Sequence, residues 1–311
     1  MNSAREIIHD GLAVRRSGEG RPVLLMPYPH GFMLEPMDQG ELALSLRSLG
    51  LQTLTFDPPG SFQSTRQPRV NLEEMTDCAG QTLDSFGVIY PVDLVGHSMG
   101  SLCALAFALA NPHRVRRLVL VGAMSGWPAI MAHGQHQAYS LGDRRKWLLT
   151  WWGLQSWAGV ASRRTWKKLF NLMERDSFFD PGRFTPLSPE PGDRRRKQPA
   201  RMAWTRAARR IDLAGRLREI PHPALVCAGR HDPQTPPECN LEVARGLRNC
   251  RLVMFENSGH YPFIEEPERF ESELKSFFSE RPAAGPGKTG PGPDNAGDYL
   301  SSNACSTSDS R

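Results

Sequence analysis

The chain has 311 residues, 39% of them hydrophobic, and a net charge of +5 at pH 7. This is the composition of a globular protein, so extensive disorder and a fibrous repeat are excluded. No apolar run approaches the ~18–20 residues that span a bilayer, and the N-terminus lacks the apolar stretch of a secretory signal. Six cysteines occur without a CxxC pair, which favours reduced thiols over disulfides or a zinc site. We therefore expect a cytoplasmic protein without a membrane span.

The charge is distributed unevenly. Residues 144–218 hold 19 of the 38 Lys and Arg but only 6 of the 33 Asp and Glu, so the rest of the chain is acidic. These basic side chains either form a solvated helical surface or attract anionic substrates or an acidic partner. They lack the spacing of nucleic-acid-binding motifs, so no nucleic-acid partner is expected.

Strand and helix patterns alternate over the first ~120 residues. Short apolar runs predict strands, and apolar residues at helical spacing predict helices. The predicted elements in chain order are strand 21–26, helix 41–49, strand 51–56, helix 72–86, strand 92–95, helix 101–110 and strand 118–121. This alternation with short loops predicts an α/β fold with a mostly parallel central sheet covered by helices.

The alternation stops after Gly122 and returns near the C-terminus. Residues 124–215 contain all seven Trp and no clear strand, which predicts a helical insertion. Further elements then follow, namely strand 224–228, helix 237–247, strand 251–255 and helix 267–278. From residue 282 the composition shifts to Gly, Pro, Ser, Asn and Asp, which is typical of disorder. The predicted organisation is a core of residues 1–123 and 216–281, an insertion at 124–215 and a disordered tail at 282–311.

The motif GHSMG at residues 96–100 follows a predicted strand and opens a predicted helix. A turn this tight holds Ser98 in a strained conformation with its Oγ exposed, and the flanking glycines remove Cβ atoms that would clash. The helix N-terminus adds N–H groups that stabilise developing negative charge. Ser98 is therefore the candidate nucleophile, and the Met99 N–H is a candidate oxyanion donor.

A serine hydroxyl needs a base at neutral pH, and His260 is the candidate. Asp232 is the candidate for the acidic residue that orients this base. Both follow predicted strands, where open α/β sheets place their sites. Asp57 also follows a strand, but the sequence Pro-Pro-Gly after it indicates a shaped loop. The histidines at positions 30, 97 and 231 are better explained as structural residues.

Together these motifs resemble the α/β-hydrolase fold serine hydrolases over about residues 20–280. The resemblance rests on GHSMG at 96–100, FDPPG at 56–60 with Ser64 downstream, GRHD at 229–232 and SGHYPFIEEPERF at 258–270. The order Ser98, Asp232, His260 is the one this family uses. The resemblance implies an α/β-hydrolase fold with residues 124–215 as a helical cap, and a catalytic triad that needs no cofactor or metal.

One loop departs from the family pattern. The family has His-Gly-x-Pro-Gly after its third strand, where one N–H completes the oxyanion hole. A gapless alignment places Pro29, which has no N–H, in the donor position. A shifted alignment makes Phe32 the donor, and a local distortion leaves Tyr28. The second donor is therefore Tyr28 or Phe32.

Several subfamilies share this outline, among them esterases, lactonases, thioesterases, carbon–carbon bond hydrolases and proline iminopeptidases. A serine nucleophile argues against epoxide hydrolases and haloalkane dehalogenases, which need Asp there. The sequence predicts a hydrolase that cleaves a small or medium carboxylic ester, thioester or lactone through an acyl-enzyme on Ser98. The alternatives are a proline iminopeptidase-like amidase, because DPPGSFQST at 57–65 loosely resembles that subfamily's D-Q-R-G-x-G-x-S, and a non-catalytic binding protein of this fold.

Overall fold

One eight-stranded sheet organises the part of the chain that the computed structural model describes, which is residues 5–29, 36–133, 174–184 and 206–280, with short stretches between 147 and 171 and at 203–204. The strand order is β1-β2-β4-β3-β5-β6-β7-β8. The first two strands run antiparallel to their neighbours, and the other six are parallel. The strands are β1 Arg5–His9, β2 Leu12–Ser17, β3 Arg21–Met26, β4 Leu51–Phe56, β5 Val92–His97, β6 Val115–Val121, β7 Ala224–Gly229 and β8 Cys250–Phe255.

Helices cover both faces of this sheet. Successive side chains of a strand point to opposite faces, and here both sets are apolar and need to be buried. Leu24 and Met26 of β3 belong to one apolar cluster, and Val23 and Leu25 belong to the other. The helices are α1 Glu41–Ser48, α2 Leu72–Ser85, α3 Met99–Ala110, α4 Trp127–His133, α5 Pro237–Gly246, α6 Pro262–Glu265 and α7 Pro267–Ser279. Helices α2, α3 and α5 pack on the first cluster, and α1, α6 and α7 pack on the second. The predicted α/β fold is therefore confirmed.

The N-terminal hairpin of β1 and β2 is the main feature that the sequence analysis missed. Its turn is Asp10-Gly11, where both residues have positive φ, and Asp-Gly is a strong hairpin signal. The strand pattern is obscured by Arg15, which is buried in β2. Arg15 is tolerated there because its guanidinium pairs with the buried carboxylate of Asp57.

The carboxyl ends of the parallel strands lie at one edge of the sheet, and the candidate residues follow β5, β7 and β8 there. Residues 122–223, here called the excursion, connect the end of β6 to the start of β7. Backbone hydrogen bonds join the two ends of this excursion, from Trp127 N to Ile211 O at 3.0 Å and from Leu213 N to Ser125 O at 2.8 Å. Most of the predicted insertion and the whole predicted tail at 282–311 lie outside the described residues. No helix in the described ranges is long and apolar enough to cross a membrane.

Candidate active site

Ser98 occupies a tight turn between β5 and α3. Its φ of +52° and ψ of −123° are rare for a residue with a side chain. A Cβ atom at Gly96 would lie 2.4 Å from the carbonyl oxygen of Gly100, and one at Gly100 would lie 2.7 Å from that of Met26. The turn therefore requires both glycines. Ser98 is 8% exposed, so it lies in an enclosed site rather than on an open surface.

His260 and Asp232 are in direct contact. His260 Nδ1 lies 2.7 Å from Asp232 Oδ2, and both residues are buried. The Asp232 carboxylate also accepts hydrogen bonds from the backbone N–H groups of Gln234 and Thr235, at 2.8 and 2.9 Å. Because a carboxylate surrounded by donors is an acceptor, Nδ1 carries the hydrogen in this contact. In the neutral imidazole, Nε2 is then left with a lone pair that can accept a proton.

Thr235 is a contact residue that the sequence analysis missed. Its hydroxyl oxygen lies 2.7 Å from Asp232 Oδ2 and 3.3 Å from His260 Nδ1. The spacing of Asp and Thr three residues apart is a signal that could have found it, because such side chains often satisfy local N–H groups. Thr235 therefore helps to hold Asp232 in place.

Gly122 joins the serine turn to His260. The Ser98 N–H donates to the carbonyl oxygen of Val121 at 2.8 Å, and the next residue is Gly122, with a φ of +53°. A Cβ atom at Gly122 would lie 3.0 Å from Thr235 Oγ1 and 3.2 Å from two ring atoms of His260. The positive φ and these tight contacts therefore favour glycine where the loop after β6 meets the imidazole.

His97 links three parts of the site. Its Nε2 lies 2.8 Å from the carbonyl oxygen of His260, and the two rings are 4.5 Å apart. Since a carbonyl only accepts, Nε2 carries the hydrogen, and Nδ1 accepts from the hydroxyl of Tyr28. Burial, followed by the nearby His260, holds the pKa of His97 well below its ordinary value. His97 is therefore a neutral structural bridge.

The three candidate oxyanion donors differ in how far the structure describes them. Met99 is the first residue of α3, where backbone N–H groups have no intrahelical partner. Tyr28 follows β3, whose end touches the serine turn through Met26 and Gly100. Phe32 lies in 30–35, outside the described residues. The second donor therefore stays a prediction, with Tyr28 and Phe32 as its candidates.

The contacts of Asp57 in the described part of the chain are with residues other than Ser98, Asp232 and His260. Its carboxylate pairs with Arg15 and accepts from the Gln63 N–H at 2.9 Å, while its carbonyl accepts from Ser64 Oγ at 2.6 Å. These contacts tie β2 and β4 to the loop that follows β4. Within the described ranges, no cluster of three or more His, Cys, Asp or Glu could hold a metal ion.

Comparison with known proteins places this geometry in a family. The model described as "Alpha/beta hydrolase family" matches residues 23–273. The chain is 28% identical to 2-hydroxymuconate semialdehyde hydrolase of Pseudomonas sp. strain CF600, over 90% of this chain and 95% of that protein. It is also 28% identical to 2-hydroxy-6-oxononadienedioate/2-hydroxy-6-oxononatrienedioate hydrolase of Cupriavidus pinatubonensis, over 75% of this chain and 78% of that protein.

Solved structures show the same fold. An alpha/beta fold family hydrolase from Bacillus anthracis str. Sterne has a TM-score of 0.72 at 17% identity, covering 89% of this chain and 99% of that one. An esterase from Exiguobacterium antarcticum has a TM-score of 0.65 at 22% identity, covering 89% and 100%. Since the family model spans most of the sequence and the folds agree, the chain belongs to the alpha/beta hydrolase family.

Proposed function

We propose that the protein is a serine hydrolase in which Ser98 is the nucleophile, His260 the base and Asp232 the residue that orients the base. The observation that carries this proposal is the 2.7 Å contact between His260 Nδ1 and Asp232 Oδ2. It leaves Nε2 as the proton acceptor on a ring that lies beside the serine turn. A nucleophile, a base and an orienting acid are the parts that acyl transfer requires.

The proposed reaction has two halves. His260 Nε2 takes the proton of Ser98 Oγ as the oxygen attacks the substrate carbonyl, and the Met99 N–H stabilises the resulting oxyanion. The imidazolium then gives that proton to the leaving group, and an acyl-enzyme remains on Ser98. In the second half, His260 removes a proton from water, which attacks the acyl group. The carboxylic acid departs, and the proton returns to Ser98 Oγ.

The proposed substrate is a small or medium carboxylic ester, thioester or lactone, bound beneath a helical cap formed by residues 124–215 on a core of residues 1–123 and 216–281. A second candidate is cleavage of a carbon–carbon bond next to a carbonyl. The names of the relatives favour it, since they are hydrolases of 2-hydroxymuconate semialdehyde and of oxononadienedioates. Both reactions pass through the same attack on a carbonyl and differ in the leaving group.

The experiment that tests the proposal is labelling by a fluorophosphonate, followed by mass spectrometry of the modified peptide. We expect one adduct, on Ser98. Ser125→Ala is the matched control because Ser125 is a buried serine that follows β6, and it should label like the wild type. Labelling at another serine, or none at all, would contradict the assignment, and the absence of labelling would favour the non-catalytic binding protein.

The substrate class is tested by comparing four compounds under identical conditions. These are a nitrophenyl ester, a thioester, proline naphthylamide and 2-hydroxymuconate semialdehyde. The proposal predicts the highest kcat/KM for the ester or thioester. Preference for the naphthylamide would favour an iminopeptidase-like amidase. Preference for the semialdehyde would favour carbon–carbon bond cleavage.

Gly122→Ala is expected to lower kcat/KM by about 10- to 100-fold, because its Cβ displaces the imidazole from its working position. Gly87→Ala is the matched control. Gly87 has a similar φ of +66°, but no atom of the described chain lies within 4 Å of its Cβ position. Both variants carry the same kind of backbone strain, about 1–3 kcal/mol. Thermal unfolding measures that strain, and only Gly122→Ala should lose turnover. Equal losses of turnover in the two variants would contradict this account.

The basic segment at 144–218 is expected to steer anionic substrates to the site. Added salt shortens the Debye length from ~10 Å at 0.1 M to ~3 Å at 1 M, so kcat/KM for a carboxylate-bearing ester should fall by about tenfold. A neutral ester of the same size should respond little. Equal salt dependence of the two esters would show that the basic side chains face the solvent.

A further inference from the structure

Glu174 is a carboxylate on the excursion between β6 and β7 that faces the loop carrying His260. It accepts a hydrogen bond from the hydroxyl of Tyr261, the residue that directly follows His260. The side chain of Gln234 lies near enough to oppose the rise in the pKa of Glu174. Two polar side chains therefore approach this carboxylate, one from the loop after β8 and one from the loop after β7.

The residues that follow Glu174 fix its position against the same loops. The backbone N–H of His260 donates to the carbonyl oxygen of Ser177 at 2.7 Å. The side chain of Gln234 donates to Ser177 Oγ, also at 2.7 Å. The ring of Phe178 stacks on that of Tyr261 at 4.8 Å. Glu174 is thus held beside His260 by backbone, polar and aromatic contacts.

We propose that Glu174 is a positioning residue, a second carboxylate that stabilises the protonated form of His260 from the side of the inserted segment. This inference rests on the proposed function, in which His260 is the base. The charge of Glu174 would assist Asp232 when the imidazolium forms during attack by Ser98. The inserted segment would then influence the chemistry as well as cover the site.

The charged and titratable groups around His260 support this role. Burial by itself lowers the pKa of His260, but the charge and hydrogen bond of Asp232 and the charge of Glu174 together raise it above the ordinary value. Among the described residues, the two other titratable neighbours, His97 and Tyr261, are uncharged at neutral pH. Burial and His260 hold the pKa of His97 very low, and burial and Glu174 hold the pKa of Tyr261 very high.

Burial, together with the charge of Asp232, raises the pKa of Glu174 above its ordinary value, although the hydrogen bond from Tyr261 and the nearby His260 oppose this rise. The hydrogen bond from Tyr261 favours the ionised form of Glu174, because a carboxylate is the stronger acceptor. Removal of this negative charge should therefore make His260 Nε2 a weaker base. The rate depends on neutral His260 and rises with pH through its pKa, and this rise is the acid limb of the pH–rate profile. Without the charge of Glu174, the acid limb should therefore move to lower pH.

The test compares Glu174→Gln, Glu174→Asp and Glu265→Gln with the wild type. Glu265 is the matched control because it also ties the inserted segment to this loop. It accepts from the Gly259 N–H at 2.6 Å and the Asp180 N–H at 3.1 Å, but it is not among the groups that shift the pKa of His260. The full-length proteins are labelled at histidine with ¹³C, and the His260 signal is identified by its loss in His260→Asn. Titration of this signal between pH 5 and 9 accompanies pH profiles of kcat/KM on a nitrophenyl ester.

We expect Glu174→Gln to lower the pKa of His260 by about half a unit or more, to move the acid limb equally and to reduce the plateau rate several-fold. Glu174→Asp should restore most of the difference, and Glu265→Gln should leave the acid limb in place. An unchanged His260 titration in Glu174→Gln would overturn the inference. An equal shift in Glu265→Gln would also overturn it, because a loosened loop would then explain the shift without any charge effect of Glu174. If the His260 signal shifts but the wild type does not react with esters or fluorophosphonate, the proposed function fails and the electrostatic link to Glu174 stands.

Discussion

Ser98→Ala should reduce ester turnover by about 10⁴-fold or more, because the acyl-enzyme can no longer form. The fold should remain intact, since alanine is smaller than serine and the turn is shaped by Gly96 and Gly100. The measurements are kcat/KM on a nitrophenyl ester and the melting temperature, which should change by no more than a couple of degrees. Residual turnover above a few per cent of the wild type would show that Ser98 is not the nucleophile.

Asp232→Asn should reduce kcat/KM by about 10⁴-fold, in line with the equivalent change in a serine protease. The asparagine amide can donate to His260 Nδ1, which moves the hydrogen onto Nε2. His260 can then no longer accept the proton of Ser98. The loss of the negative charge also lowers the pKa of His260, since the charge of Asp232 is the largest of the influences that raise it.

Asp57→Asn is the control for this prediction. It removes one of the three carboxylates that pair with the buried Arg15, while Glu6 and Asp38 remain. The loss of stability should therefore be smaller than the about 3–5 kcal/mol of a fully broken buried pair. The variant should therefore melt at a lower temperature but retain its turnover per folded molecule. The assignment of the orienting acid would move to Asp57 under one outcome. In it, Asp57→Asn would abolish turnover at a temperature where the protein is folded, and Asp232→Asn would reduce turnover only slightly.

Local patterns in the sequence determined the strands, the helices on the sheet and the serine turn. Short apolar runs bounded by turn residues predict β3 to β8 because a buried parallel strand needs apolar side chains on both faces. The turn at residues 96–100 could be predicted because its tight backbone requires glycine at positions 96 and 100. The β1–β2 hairpin was missed because Arg15 interrupts the apolar pattern, and its burial depends on a partner 42 residues away.

Only the tertiary structure could determine the surroundings of Asp232 and His260. Strands β6 and β7 are neighbours in the sheet although the long excursion separates them in sequence. This adjacency brings Gly122 against the imidazole, and that contact leaves no periodic trace in the sequence. Glu174 is a second example. In the sequence it is an acidic residue within a basic segment, and only the structure shows that it accepts a hydrogen bond from Tyr261. Contacts of this kind depend on which loops meet at the carboxyl edge of the sheet, and strand order, not local propensity, decides that.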